Sequence, residues 1–287
     1  MNINFFDRKK ICLLVSIVVM GMSLGAFFDY GLSQNLYQQQ SRFALFFAAY
    51  GQLPFNIGFA MCGTMMLMIA NNYALPKRRI IQALGLILNL TCFLIGTISP
   101  TKFLAEYNIV ILMIQNVALL LIVDCLVYQY LKDVEVKKLE SYIKFVFIVL
   151  VGQLILVNVL KLWWGRPRMR MIVANDDAYF LPWFRFDHSL RTLLLVKGIP
   201  LEEFKSFPSG HTACASCILI YALLPLLKSD DNKHLANGLF ALGMVYIVIV
   251  ALSRIVAGAH FLSDVTGGFA CCILIIYVAY RYSFETK

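Results

Sequence analysis

Three short stretches of this chain hold residues whose types and spacing could do chemistry. The first is Ser253-Arg254, followed after five residues by His260 and after three more by Asp264. Residues four apart share a face when they lie on a helix, so the spacing predicts that Asp264 accepts a hydrogen bond from one nitrogen of His260. That bond would fix the imidazole tautomer and leave the other nitrogen free to attack an electrophile. The second is Pro208-Ser209-Gly210-His211, which opens an apolar run. A proline suits a helix beginning, and the exposed amides of a helix N-terminus attract anions. The third runs from Lys161 to Arg170 and carries Lys161, Arg166 and Arg168. Together with Arg254 these cations would clamp a phosphate, above all in its transition state.

The order and gaps of these residues resemble the signature motifs of the type 2 phosphatidic acid phosphatase superfamily. Lys161 and Arg168 match its first motif, residues 208–211 its second, and Ser253, Arg254, His260 and Asp264 its third. That superfamily includes membrane lipid phosphatases and, on a related helical core, soluble acid phosphatases and vanadium haloperoxidases. The resemblance covers residues 161–264. It implies that Lys161, Arg168, Ser209, Gly210 and Arg254 hold phosphate and that Asp264 orients His260. In that scheme His260 is the nucleophile, and His211 protonates the leaving oxygen and then activates water. No metal or other cofactor is implied. One departure stands out: Met169 follows Arg168 where the family has proline, and the chain's Arg-Pro is Arg166-Pro167. Spacing favours Arg168 for the motif role and leaves Arg166 as a second-rank phosphate ligand.

The elements that must position these residues are read from composition. Of the 287 residues, 60% are hydrophobic and 14% charged. A soluble domain could not cover so much apolar surface. Runs of about 20 apolar residues span a bilayer, and eight are found: 11–28, 53–71, 80–98, 109–130, 142–160, 209–227, 237–257 and 262–282. The run at 53–71, with Pro54, Gly58 and Gly63, is the weakest. The fold class is therefore all-α, a polytopic transmembrane bundle with the family's helical core in its C-terminal half. Residues 1–141 form N-terminal membrane helices; residues 142–287 form the core, with a loop over 161–208.

Short cytoplasmic loops collect Lys and Arg. With the N-terminus inside, Arg8, Lys9, Lys10, Lys77, Arg78, Arg79, Lys132, Lys137, Lys138, Lys144, Lys228, Lys233, Arg281 and Lys287 fall inside, and only Arg42 and Lys102 occupy short outer loops. Both termini are then cytoplasmic, and the motif residues lie at the outer face, in the cytoplasmic (inner) membrane of a bacterium. The N-terminal run is a first span, not a cleaved leader. The net charge of +9 reflects this inner-face signal and an outer cluster. No accessible basic module suggests nucleic acid. The cysteines all fall in apolar runs and read as small hydrophobes. His188 and His234 read as structural or solvated loop histidines, and Trp163, Trp164 and Trp183 as an interfacial aromatic belt.

These residues predict a phosphatase acting on the phosphomonoester or pyrophosphate of a membrane lipid. Polyprenyl diphosphate, phosphatidic acid, phosphatidylglycerol phosphate and a lipid A phosphate all fit. Two rival readings use the same residues: a lipid-to-lipid phosphotransferase, and a transporter of an anionic lipid. A metal bound by His211, His260 and Asp264 is a further alternative, which the neighbouring cations disfavour.

Overall fold

The computed structural model describes residues 5–104 and 108–285. Lys287, counted among the inner charges, lies outside them. Every regular element among the described residues is helical. Eight helical stretches are long and apolar enough to cross a membrane: Arg8–Leu36, Arg42–Ala70, Leu75–Thr101, Ile109–Leu131, Val136–Ala174, Gly210–Lys228, Asp230–Val256 and Leu262–Phe284. The chain is thus an integral membrane protein of the polytopic helical kind. All eight cysteines are free.

The span that looked weakest in sequence is one of the two most enclosed. It is broken at Gly51 and Gln52 into α2 (Arg42–Tyr50) and α3 (Leu53–Ala70), with Pro54 in the first turn of α3. Its small residues explain both its low hydropathy and its position. A Cβ on Gly58 would touch Leu150, and one on Gly63 would press against the Gly85 carbonyl. Helices inside a membrane approach closely where side chains are small. The helix α3 packs against α4 (Leu75–Thr101) and α5 (Ile109–Leu131), and also against α6 (Val136–Trp164) and α9 (Gly210–Ser216).

Around α12 (Leu262–Tyr280) gather α6, α9 and, from the far end of the chain, α1 (Arg8–Leu36). The first helix therefore packs chiefly on the C-terminal bundle. Between α6 and α9 the chain forms α7 (Met169–Ala174) and α8 (His188–Val196). Residues 217–223 tighten into a 3₁₀ stretch that leads into α10 (Leu224–Lys228), and α11 (Lys233–Val256) follows. The segments 37–41, 102–104, 165–209 and 257–261 all lie at one end of the bundle, because they follow alternate spans.

Candidate active site

The motif residues meet at that end, each delivered by a local feature of the chain. Lys161 stands in the last turn of α6, which stops at Gly165 in the left-handed conformation, φ +67°. Such a residue closes helices because a Cβ is penalised there. The extended stretch after it carries Arg166 and Arg168. Ser209 is the N-cap of α9, and its Oγ accepts from the Thr212 amide at 3.3 Å. Gly258, at φ +61°, turns the chain sharply after α11, so the His260 amide folds back onto the Arg254 carbonyl at 3.3 Å. Gly267 and Gly268 then let α12 slide against the Phe207–Ser209 turn. A Cβ on Gly268 would sit 2.2 Å from the Ser209 carbonyl oxygen.

His260 is 2% exposed, and its Nδ1 lies 2.6 Å from the Ser206 carbonyl oxygen. A carbonyl can only accept, so Nδ1 carries the proton and Nε2 the lone pair. Burial first, then the fields of Lys161, Arg168 and Arg254, holds this imidazole well below its ordinary pKa, in the neutral form. This corrects the expected pairing. His260 precedes the N-cap of α12 and shares no helix face with Asp264, whose Oδ2 is 3.9 Å from Nδ1. Asp264 is the third residue of α12 and reaches back to the Phe261 amide at 2.8 Å, while the same Oδ2 accepts from the Ser206 hydroxyl at 2.5 Å. Its connection to His260 therefore runs through Ser206.

Arg166 is also corrected. It is 1% exposed and its N–H groups are engaged: Nη1 with Asp264 at 2.5 Å, Nη2 with Asp29 at 2.8 Å, and Nε with the Leu181 carbonyl at 2.7 Å. Its guanidinium lies over the rings of Phe261 and Phe180. A side chain so occupied has little left for a phosphate.

The other three cations are in a different state. Lys161 donates to the Lys205 carbonyl at 2.9 Å and lies against Gly210, its Cε 3.4 Å from where a Cβ would stand. Arg254 is 3% exposed and gives Nη1 to the Ala44 carbonyl at a long 3.4 Å. The Nε groups of Arg168 and Arg254 are buried with no acceptor. Among the described residues, no carboxylate pairs with Lys161, Arg168 or Arg254. Cations held away from water without counter-charge are costly, and this set, with Arg254 buried and Lys161 and Arg168 half-buried, is complementary to an anion. His211 completes the group. Its Nε2 lies 3.1 Å from the Ala48 carbonyl of α2, and its ring meets Phe103 edge-on at 5.8 Å.

The Ser209 amide donates to the Asp264 carbonyl at 2.8 Å, so it is not a free donor. The amides of Gly210 and His211, first in α9, have no intrahelical acceptor by position. The aromatic belt is partly corrected. Trp163 is exposed, whereas Trp164 packs on Phe207 at 4.3 Å and Trp183 stacks on the same ring at 6.4 Å. A cavity of about 550 Å³ leads to Arg254 between Gln38, Ala44, Ala48, Phe103 and Met171. No group of three His, Cys, Asp or Glu side chains among the described residues could hold a metal.

Sequence reasoning missed Asp29, Ser206, Ser263 and the carbonyls of α2. Asp29 had a signal, as a lone acid directly after the first apolar run and ahead of a further stretch without charge. Ser206 lies three residues ahead of Ser209 but belongs to no motif. Backbone carbonyls leave no mark in a sequence.

A helical membrane bundle with an unneutralised cationic pocket around a neutral imidazole defines the class. Residues 141–287, more than half of the chain, match the family model described as the PAP2 superfamily, and the chain belongs to that superfamily. Phosphatidylglycerophosphatase B of Bacillus subtilis (strain 168) is 34% identical over 92 residues, which are 30% of this chain and 43% of that protein. The match thus spans less than half of that relative's length. No solved structure matches the chain.

Proposed function

We propose that this protein hydrolyses the phosphate of a membrane lipid through a phosphohistidine, with no metal ion. The observation that carries this reading is the set of three cations, the buried Arg254 and the half-buried Lys161 and Arg168, with no carboxylate partner among the described residues, beside a neutral His260. Membership of the superfamily and the name of the Bacillus relative support a lipid phosphate as substrate. Phosphatidylglycerol phosphate, phosphatidic acid, polyprenyl diphosphate and a lipid A phosphate share the required chemistry, a phosphate carried on a membrane-borne tail.

His260 Nε2 attacks phosphorus in line. The N–P bond forms as the bond to the leaving oxygen breaks, and His211 gives that oxygen its proton. Water then attacks the phosphohistidine and passes a proton back to His211, and inorganic phosphate departs as the N–P bond breaks. Lys161, Arg168, Arg254, the Ser209 hydroxyl and the Gly210 amide hold the phosphoryl oxygens as charge builds on them. Asp264 orients His260 by way of Ser206. We further propose that residues 142–287 form the catalytic core and that α1 completes it. The Lys and Arg distribution supports cytoplasmic termini and a site at the outer face of a bacterial cytoplasmic membrane.

The test uses full-length protein in detergent with a panel of phosphorylated lipids, with and without EDTA. Phosphate release that survives EDTA and vanishes in His260→Ala is the expected outcome. Release by His260→Ala would end the nucleophile assignment. Strict dependence on a divalent cation would end the metal-free mechanism, and dependence on an acceptor lipid would make the protein a transferase.

A further inference from the structure

Among the described residues the proposed chemistry leaves two buried charges unused, Arg166 and Asp29, and Asp29 lies outside the family-matched residues. Asp29, on α1, is 1% exposed. Its Oδ1 accepts from the Ser263 amide at 2.9 Å. Its Oδ2 accepts from Arg166 Nη2 at 2.8 Å and from the Ser263 hydroxyl. Arg166 passes the connection on, donating Nη1 to Ser263 Oγ at 2.8 Å and to Asp264 Oδ1 at 2.5 Å. The other oxygen of Asp264 holds the Ser206 hydroxyl, and the Ser206 carbonyl holds Nδ1 of His260. A continuous line of hydrogen bonds thus runs from the first helix to the imidazole: Asp29, Arg166, Asp264, Ser206, His260.

Two carboxylates share one guanidinium in this line, so Arg166 does not fully neutralise Asp264. The geometry points to Asp29 as a positioning residue for the phosphoryl-transfer step, holding Arg166, and through it Asp264 and Ser206, in place behind His260. This rests on the reading of His260 as the nucleophile. The charged groups that face His260 are Lys161 of α6, Arg168 ahead of α7, His211 of α9, Arg254 of α11 and Asp264 of α12. All but Asp264 oppose the positive charge that His260 acquires when it takes phosphorus. The carboxylate behind it is the compensating field. Without Asp29 the whole charge of Arg166 falls on Asp264, that field weakens, and the cationic imidazole is disfavoured.

The experiment compares wild type, His260→Ala, Asp29→Asn and Ser263→Ala as purified full-length protein, with dioctanoyl phosphatidic acid in detergent micelles as probe. Phosphate release by wild type and none by His260→Ala tests the site itself; failure of either overturns the site reading and the Asp29 role with it. For folded Asp29→Asn, kcat falls roughly tenfold, the lower end of what loss of a supporting hydrogen-bond partner costs. KM stays within about twofold, since substrate binding is not what Asp29 supports. The acidic limb of the kcat–pH profile moves to lower pH, because removing a negative charge makes His260 harder to protonate. Ser263→Ala keeps both charges but takes from Arg166 Nη1 one of its two acceptors, so the guanidinium bears more fully on Asp264 and weakens its field at His260. It shows the same signs with smaller size, and serves if Asp29→Asn does not fold. A wild-type kcat and an unmoved acidic limb in Asp29→Asn, or in Ser263→Ala should that variant alone fold, would overturn the proposal. So would a fall in active protein with no change in the limb.

Discussion

The cations at the site end of the bundle differ less in chemistry than in company. Lys197 pairs with Asp177 at 2.5 Å, Arg170 with Glu203, and Lys205 with Glu202. Arg166 holds two carboxylates. Lys161, Arg168 and Arg254 hold none among the described residues. Exposed pairs contribute little to stability, whereas a cation held away from water without a counter-charge costs free energy that an anionic ligand would recover. Truncating Arg254 or Lys161 to alanine is therefore expected to lower kcat/KM by about 10²–10³, the scale of losing one preorganised donor to a developing charge. Lys197→Ala, which opens only an exposed pair, should stay within about twofold. Equal losses in all three variants, measured as phosphate release, would mean that pairing does not sort these residues. The sequence separated Lys161, Arg168 and Arg254 from the loop charges by motif spacing. It could not tell Arg166 from Arg168 by environment, because burial and partners are properties of the fold.

Among the elements, α12 sets the site's dimensions. Its first turns carry Asp264, and its Gly267–Gly268 pair rests against the turn that introduces α9. Gly268→Ala would force a Cβ into the Ser209 carbonyl, and backbone cannot swing aside as a flexible side chain does. Overpacking of this kind costs about 1–3 kcal/mol. The expected outcome is a lower midpoint of thermal unfolding in detergent together with reduced turnover, since the strain falls on Ser209 and Gly210. Gly268→Ala with wild-type melting and turnover would mean the contact is not close. The existence of α12 was legible from its apolar run, but the reason for two glycines in it was not, because the atoms they make room for lie some sixty residues earlier. The same holds for His260 and Asp264. Their spacing suggested one helix face, yet the helix begins at Leu262, after the turn at Gly258 has already placed the imidazole.

For the whole molecule, alternate ends of eight spans sort the charges: one end carries Arg8, Lys77, Arg79, Lys132, Lys137 and Lys228, and the other carries the site. On the proposed orientation, a reporter fused after Asp177 reads outside and one fused after Asp231 reads inside. The reverse result would turn the bundle over and place the chemistry on the cytoplasmic face. The first and last spans also meet. Helix α1 packs on α12 and delivers Asp29 to Ser263 and Arg166, so the first span joins the part of the bundle that the family match covers.

From sequence alone, composition and run length determined the solvent and the count of spans, because a run of about 20 apolar residues satisfies its own backbone only as a membrane-spanning helix. Motif spacing determined which side chains to watch. Only the tertiary structure decided which partner each found: Ser206 and not Asp264 at Nδ1 of His260, two carboxylates on Arg166, none among the described residues on Arg168 or Arg254, and α1 beside α12. Hydrogen bonds and charge pairing act over a few ångströms in space, and the groups they join here stand from three to more than two hundred residues apart along the chain.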